Sequence, residues 1–239
     1  MLSLFPNDVH IWQQSLAVSP QQVQRLSALL SQDEHQRANR FRRHLNRQQY
    51  IVGRGSLRRI LSQYLHLKPE QIQFGYSPLG KPFLTTNNVS SSLQFNLSHS
   101  GQQMLVAVSA GSRIGIDVEY AHRNLEPLAL SKRYFSPQEQ QLLSTSSPGQ
   151  STRLFLQLWT CKEALLKASG SGLRDLDRIE VLALPQSSAD QVLFAYQPRY
   201  QNFTLRVLPA PSDYIAAIAV EGQGAHSMTL RSLAVGNMH

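Results

Sequence analysis

The sequence predicts an α+β protein built from two similar halves. Stretches whose apolar residues recur every three to four positions, which is typical of helices, are followed by short apolar or alternating runs typical of strands. A long helix, a strand, a Phe-Asn-Leu run, a turn and an apolar strand follow one another in residues 46–108. The same order, with Phe-Thr-Leu, recurs in residues 151–220. This weak repeat divides the 239 residues into halves of residues 1–112 and 113–239. A cleft between them is the natural place for a site.

The first half begins with helices and continues with strands. Ser19 followed by Pro20 is typical of a helix start. Gly53 and Gly55 either weaken the third helix or allow another segment to approach its backbone. Residues 78–82 and 85–92 are polar or rich in proline and glycine, and indicate loops. Helices are predicted over residues 20–30, 34–41 and 46–65, and strands over residues 72–74, 93–97 and 104–108.

The second half carries clear start and stop signals. Ser136 and Glu139 form a capping-box pattern with a proline between them, which by itself explains Glu139. The run Ser169-Gly170 indicates the end of a long helix. Helices are predicted near residues 125–133, from residue 136, and over 151–168, and strands over 114–119, 179–184, 192–196, 203–208, 214–220 and 228–233.

The composition excludes several classes of protein. Apolar residues make up 41% and charged residues 16%, which is too apolar and too weakly charged for a disordered chain. The single cysteine, Cys161, excludes an internal disulfide and a thiolate zinc cage. The amino terminus lacks the pattern of a secretory signal, and the apolar runs are far shorter than a membrane span. We therefore expect a soluble cytoplasmic protein without membrane contact.

The positive charge is concentrated near the amino terminus. The formal net charge is +8, and residues 1–68 hold ten basic and three acidic side chains. Residues 37–59 contain eight arginines and no acid. Because arginine pairs with phosphates and carboxylates through two hydrogen bonds, this run predicts a phosphate-bearing or acidic partner. The alternative is a solvated helix face.

Two motifs combine acidic and basic side chains. In residues 115–119 (Gly-Ile-Asp-Val-Glu), a strand would direct Asp117 and Glu119 to one face. Magnesium prefers such oxygen ligands, although a solvated acidic face is an equal alternative. On a helix, Trp159, Glu163 and Lys167 form one stripe. A common surface salt bridge explains Glu163 and Lys167 equally simply, but the tryptophan favours a half-buried stripe and therefore a site.

Two further segments carry polar groups that can meet an anion. Residues 95–101 include Ser98 and His99, which can donate to an anion at a strand end. A polar turn explains that segment alone, and adjacent residues cannot form a catalytic triad. Residues 75–82 nearly match a P-loop, but Pro82 stands where a hydroxyl residue is needed. We therefore reject a P-loop, while the backbone of residues 80–82 can still contact a nucleotide.

Taken together and in order, these motifs resemble the 4′-phosphopantetheinyl transferases of the larger, Sfp-like group. The resemblance spans about residues 33–172 and rests on the ordered set rather than on any one motif. It uses the runs 37–41, 54–58, 80–82, 95–100, 115–119, 135–139 and 159–167. The family implies two similar α+β halves in a pseudo-twofold arrangement, with the active site in the cleft between them.

The resemblance also implies the reaction and its residues. The phosphopantetheine arm of coenzyme A would pass to a serine of an apo acyl or peptidyl carrier protein, releasing 3′,5′-ADP. Mg²⁺ would be the cofactor, and the enzyme would be a monomer. The implied Mg²⁺ ligands are Asp117, Glu119 and Glu163. The implied coenzyme A contacts are Arg37, Arg54, Gly80, Lys81, Pro82, Ser98, His99 and Lys167.

The general base and the alternatives remain open from sequence. Glu163, directly or through water, is the first candidate for the base that takes the serine proton, and Glu139 is the second. The arginines of residues 37–59 would hold the 3′-phosphate and dock an acidic carrier helix. A nucleic-acid-binding module would explain those arginines but leave the carboxylates without a role, so we expect no nucleic-acid partner. A non-catalytic coenzyme A binder is the third possibility.

Overall fold

The structure is a computed structural model that describes residues 2–85, 93–184, 192–195, 198–222 and 226–233. The helices are α1 (Pro20–Ser27), α2 (Gln32–Asn39), α3 (His44–Ser62), α4 (Pro127–Tyr134), α5 (Pro137–Thr145) and α6 (Pro148–Ser169). The strands are β1 (Asp8–Ser15), β2 (Phe74–Tyr76), β3 (Pro82–Leu84), β4 (Leu93–Ser100), β5 (Gln103–Ala110), β6 (Ile114–Tyr120), β7 (Glu180–Ala183), β8 (Leu193–Ala195), β9 (Phe203–Leu208), β10 (Tyr214–Glu221) and β11 (Ser227–Ser232).

Two sheets form the centre of the molecule. The first has the order β11-β1-β5-β4, in which β1, β5 and β4 are antiparallel and β11 runs parallel to β1. The second has the order β6-β10-β9 and is antiparallel throughout. The short pairs β2–β3 and β7–β8 lie outside these sheets. Each half thus combines three antiparallel strands with a long helix, and the predicted α+β class is confirmed.

Apolar layers hold the elements together. One cluster packs α3 against the first sheet, and another packs α6 against the second. A third lies between the two sheets and joins residues of β1 and β5, such as Ile11 and Leu105, to residues of β6 and β10, such as Ile116 and Ile218. Burial of this shared layer fixes the two halves against each other. None of the described helices combines the length and apolarity needed to cross a bilayer.

The boundaries differ from the sequence predictions in a few places. Strand β1 was not predicted, because four successive residues from Val9 to Trp12 are buried and no alternation marks the strand. Strand β3 begins at Pro82, inside a predicted loop, at a position where a strand tolerates proline. The final predicted strand exists as β11, but it joins the sheet of the first half. The predicted loop over residues 86–92 lies outside the described residues.

The predicted caps are present. The Ser19 side chain caps α1, and Ser136 caps α5 in a capping box with Glu139. Helix α6 ends at Gly170, whose φ of 77° is accessible to glycine at little cost. The capping signals were therefore read correctly from the sequence.

Glycines allow two close approaches between elements. A Cβ on Gly55 would lie 2.8 Å from the Leu26 Cβ, so α1 packs directly on the α3 backbone. A Cβ on Gly115 would lie 2.1 Å from the Ala164 carbonyl oxygen and 2.3 Å from the Ala168 nitrogen. Strand β6 therefore touches the backbone of α6, and its glycine-bearing face lies beneath that helix.

We predict that Gly115→Ala destabilises the protein by about 3 kcal/mol, because the added methyl group must push α6 away from β6. The control is Gly149→Ala in α6, where no atom lies within 4 Å of an added Cβ. That variant is expected to stay within about 1 kcal/mol of the wild type. Urea unfolding measures both free energies, and equal stability of the two variants would contradict the packing described here.

Candidate active site

A pocket of 520 Å³ opens between the two halves. The first half contributes residues of α2, α3 and β4 and the loop between β2 and β3. The second half contributes α6 and the residues after it. The lining residues are Arg37, Gln49, Tyr50, Gly53, Arg54, Tyr76, Ser77, Leu79, Gly80, Lys81, Pro82, Asn96, Leu97, Ser98, His99, Glu163, Leu166, Lys167, Gly170, Gly172 and Leu173.

An ion pair of the second half, whose aspartate is buried, borders the first half. The Lys167 Nζ on α6 lies 2.6 Å from Asp117 Oδ1 on β6, and the Ser98 hydroxyl on β4 donates to the same oxygen at 2.7 Å. Strand alternation places Asp117 on the face that Gly115 brings against α6. One carboxylate oxygen thus connects β4, β6 and α6.

The other oxygen of Asp117 has no partner among the described residues. Asp117 is 4% exposed, and its Oδ2 is buried without a hydrogen bond among the described residues. Burial raises the pKa of Asp117, and Lys167 opposes that rise. Glu119 accepts a hydrogen bond from Ser100 Oγ at 2.8 Å and pairs with Arg123 at 2.5 Å. Of the two carboxylates on β6, Asp117 therefore has a buried oxygen, Oδ2, without a partner among the described residues.

Glu163 faces the same pocket from α6. In the part of the chain that the structure describes, its carboxylate accepts no hydrogen bond. Burial raises the pKa of Glu163 to about 7, the charges of Asp117 and Glu119 add to the rise, and Lys167 opposes it. A carboxyl group of this kind can exchange a proton near neutral pH. Asp117 and Glu119 therefore disfavour the charged form of Glu163, and Lys167 favours it.

The donor set fits a hard divalent cation. Asp117, Glu119 and Glu163 offer carboxylate oxygens, which magnesium prefers, and Asp117 Oδ2 is buried without a partner. Within the described ranges, no three or more His, Cys, Asp and Glu side chains are assembled as a metal centre. One oxygen of Asp117 is already bound by Lys167. The residue types therefore fit the ion, whereas the side chains are not arranged around one.

A second set of polar side chains, around Arg54, can bind an anion in the pocket. Arg54 contacts Glu34 at 3.3 Å through Nε and donates to the Tyr76 hydroxyl at 3.0 Å through Nη2. Its Nη1 and the Tyr50 hydroxyl are both buried without a partner among the described residues. The Arg37 guanidinium lies 5.6 Å from the centre of the Tyr50 ring. Unsatisfied donors beside two guanidinium groups favour binding of a phosphate.

Sequence profiles of known families match both halves. Residues 14–111 match the profile described as "4'-phosphopantetheinyl transferase, N-terminal", and residues 113–219 match the "4'-phosphopantetheinyl transferase superfamily". The chain is 40% identical over 223 residues to the 4'-phosphopantetheinyl transferase HetI of Nostoc sp. strain PCC 7120, covering 93% of this chain and 92% of HetI. This chain belongs to the 4′-phosphopantetheinyl transferase superfamily.

Two further relatives agree with this assignment. The transferase is 29% identical over 214 residues to the 4'-phosphopantetheinyl transferase psf-1 of Bacillus pumilus, covering 84% of this chain and 88% of psf-1. It is 28% identical over 218 residues to Sfp of Bacillus subtilis strain 168, covering 85% of this chain and 94% of Sfp. The predicted family and enzyme class are confirmed.

The pocket of the transferase brings most of the predicted site residues together. Asp117 and Glu119 lie beside it on β6. The predicted residues that line it are Arg37, Arg54, Gly80, Lys81, Pro82, Ser98, His99, Glu163 and Lys167. Lys81 differs from expectation in its orientation, because its ammonium donates to the Lys167 carbonyl at 2.6 Å and the Ile114 carbonyl at 3.3 Å.

Glu139 does not reach the pocket of the transferase. It is 2% exposed, and one oxygen lies 2.5 Å from Lys162 Nζ and accepts from the Ser136 amide. The other oxygen accepts from the Val181 amide at 2.9 Å. Both oxygens are therefore occupied inside the second half, and Glu139 has the structural role that its capping box indicated.

Seven of the eight arginines in the basic run divide into three groups, and the eighth, Arg59, is half-buried on α3. Arg58 is buried, pairs with Glu34 at 2.8 Å and donates to the carbonyls of Pro69 and Ile72. It is therefore a structural residue, which corrects the prediction that the whole run faces a partner. Arg37 and Arg54 line the pocket. Residues 40–47, which include four arginines, are exposed on the surface.

Several site residues were missed from sequence. Asn96 Oδ1 accepts from the Ile116 amide at 2.9 Å and so links β4 to β6. Tyr50 and Tyr76 line the pocket beside Arg54, in the part that favours binding of a phosphate. Tyr50 and Arg54 both lie on α3. A tyrosine one turn before Arg54 on that helix was the available signal.

We predict that Glu139→Gln destabilises the transferase by about 3–5 kcal/mol, because Lys162 would remain buried without its counter-charge. The double variant with Glu139→Leu and Lys162→Met removes both charges and is expected to recover most of that loss. Thermal unfolding measures stability, and turnover is measured on the double variant. A double variant that is folded but inactive would contradict a purely structural role for the Glu139–Lys162 pair.

We also predict that Glu163→Gln stabilises the metal-free transferase at alkaline pH. The folded protein raises the pKa of Glu163 from 4.5 to about 7, so ionisation of this carboxyl group opposes folding. Wild-type stability therefore falls as pH rises from about 4.5 to about 7, and the variant avoids this loss. We expect the free energy of unfolding of the variant to exceed that of the wild type by about 2 kcal/mol at pH 8, and this difference to disappear near pH 4. Exposed Glu70→Gln is the control, and an unchanged difference at both pH values would refute the assignment.

Proposed function

We propose that this enzyme moves the 4′-phosphopantetheine group of coenzyme A to a serine of an apo acyl or peptidyl carrier protein. The reaction uses Mg²⁺ and releases 3′,5′-ADP. The observation that carries this proposal is that one pocket is lined by Glu163 and Lys167 and also by Tyr50 and Arg54. Tyr50 and Arg54 each carry a buried donor without a partner among the described residues. Coenzyme A presents a diphosphate and a separate 3′-phosphate, which such a pair of groups can hold.

The proposed binding roles follow from where the side chains lie. Arg37, Arg54 and Tyr50 would hold the 3′-phosphate, which supplies acceptors for Arg54 Nη1 and the Tyr50 hydroxyl, two donors without a partner among the described residues. Ser98, His99 and the backbone of residues 80–82 would contact the rest of coenzyme A. Gly80, with a φ of 82°, leaves open space where a side chain would otherwise stand. The loop can therefore approach a nucleotide through its backbone.

The transfer step requires charge stabilisation and a proton acceptor. The serine oxygen bonds to the phosphorus of the pantetheine phosphate, the bond to the bridging oxygen breaks, and 3′,5′-ADP leaves. Lys167 stabilises the charge that develops on the leaving diphosphate. Glu163 takes the serine proton, directly or through water, since its carboxyl group faces the pocket from α6. Mg²⁺ held by Asp117, Glu119 and Glu163 would neutralise the diphosphate.

The cellular context is part of the same proposal. We propose a monomer, since residues of both halves of one chain line the pocket, with halves of residues 1–112 and 113–239. The single cysteine is buried, which suits a cytoplasmic location. The exposed arginines of residues 40–47 would meet an acidic helix of the carrier protein.

The first experiment mixes the enzyme with coenzyme A, Mg²⁺ and several apo carrier proteins and measures intact carrier mass. We expect a gain of one phosphopantetheine that EDTA abolishes, and that Lys167→Met slows by about a hundredfold or more. Coenzyme A binding without any mass gain would support a non-catalytic binder. Salt-sensitive binding to nucleic acid without coenzyme A binding would overturn the proposal.

A second experiment tests the 3′-phosphate contact. We predict that Arg54→Met raises KM for coenzyme A about tenfold, because a charge-assisted hydrogen bond is lost. KM for dephospho-coenzyme A, which lacks the 3′-phosphate, is expected to change less than about twofold. Arg25→Met, an exposed site on α1, is the control. Equal effects on both substrates would place the 3′-phosphate elsewhere.

A further inference from the structure

The loop between β2 and β3 is a rigid turn. The Gly80 amide donates to the Ser77 carbonyl at 2.8 Å, and the Ser77 amide donates to the Lys81 carbonyl at 2.9 Å. The Lys81 amide also donates to the Ser77 hydroxyl at 3.1 Å. These bonds fix the backbone from which the Lys81 side chain extends, so the position of its ammonium is set by the first half.

The Lys81 ammonium binds two carbonyls of the second half. It lies 2.6 Å from the Lys167 oxygen, in the last turn of α6, where carbonyls have no partner within the helix and carry partial negative charge. It also lies 3.3 Å from the Ile114 oxygen, at the start of β6. A cation from one half thus joins the end of α6 to the start of β6 in the other.

A second contact of the same loop supports this attachment. The Leu79 Cδ1 lies 2.9 Å from the position that a Cβ on Gly172 would occupy. Leu79 therefore packs on the backbone just after α6, while Lys81 binds the last turn of the helix itself. The loop holds the carboxyl end of α6 through one polar and one apolar contact.

We infer that Lys81 is a positioning residue that acts through Lys167, an inference that rests on the proposed function. The carbonyl that Lys81 holds belongs to the same residue whose Nζ binds Asp117 Oδ1 at 2.6 Å and Ser98 Oγ at 3.1 Å. Fixing the Lys167 backbone restricts where its ammonium can lie. Lys81 therefore orients the lysine that meets the diphosphate, rather than binding coenzyme A with its own charge.

The experiment compares Lys81→Met and Lys81→Arg with the exposed control Lys68→Met, at a temperature where every variant is folded. We expect Lys81→Met to lower kcat about tenfold with KM for coenzyme A within about twofold. Lys81→Arg, which keeps a cationic donor, is expected to recover part of the loss. A rise in KM with unchanged kcat would mean that Lys81 binds coenzyme A directly and would overturn the inference.

A double-mutant cycle separates action through Lys167 from an independent role. If Lys81 acts through Lys167, adding Lys81→Met to Lys167→Met lowers kcat by less than about twofold beyond Lys167→Met alone. A full tenfold further loss would show that the two lysines act independently, and the inference would fail.

The pH profile supplies a further readout. Burial, with the charges of Arg113 and Lys167, lowers the pKa of Lys81 to about 8. The charged form is therefore lost as pH rises through about 8. We expect kcat of the wild type to fall above that pH and that of Lys81→Arg to fall less, because a guanidinium stays protonated. Identical profiles would contradict the role of the charge.

A measurement without substrate keeps this inference separate from the proposed function. In the wild type, the amides of Gly170 and Ser171 both donate to the Leu166 carbonyl, which closes the end of α6. Hydrogen exchange of the peptide over residues 164–172 is expected to be at least about tenfold faster in Lys81→Met than in Lys68→Met. Unchanged exchange would overturn the inference even if transfer is observed. Absence of wild-type transfer with faster exchange would overturn only the proposed function.

Discussion

The free edge of β6 is the constraint on which the site depends. β6 pairs with β10 on one side only, and its outer backbone groups would be unsatisfied inside the molecule without other partners. Side chains satisfy them instead of a strand. The partners are Asn96 for the Ile116 amide, Ser100 for the Tyr120 amide, Lys81 for the Ile114 carbonyl and Lys167 for the Ile116 carbonyl. Because no described strand forms a backbone ladder with this edge, polar side chains of both halves meet there, including those that extend from β4.

This arrangement buries acidic groups at a cost in folding free energy, and the apolar cores must offset that cost. Asp117 is buried with one oxygen unpartnered, and burial raises the pKa of both Asp117 and Glu163. Apolar clusters under α3, under α6 and between the sheets surround the cleft and hold its walls in place. Stability that is lost at a functional site is commonly supplied by the rest of the fold, and here the apolar layers supply it.

The local features of the fold were readable from the sequence, whereas the long-range pairs were not. Strand period placed Asp117 and Glu119 on one face, and Gly170 marked the end of α6. The partners of Arg58 and Lys162 escaped prediction, since a buried ion pair between distant elements leaves no periodic signal. The strand β1 escaped because it is buried without alternation. The direction of the Lys81 ammonium likewise depends on tertiary packing.

The parallel pairing of β11 with β1 has a consequence for how the chain folds. Asp8 lies opposite Ser227, so the sheet of the first half is complete only when a segment from beyond the second half reaches it. Such a distant pairing makes loop closure slow relative to local helix formation. The two halves are therefore not independent consecutive units, because each end of the chain contributes a strand to the same sheet. Separated after residue 112, the first half would expose the bare edge of β1, which is a template for association with other chains.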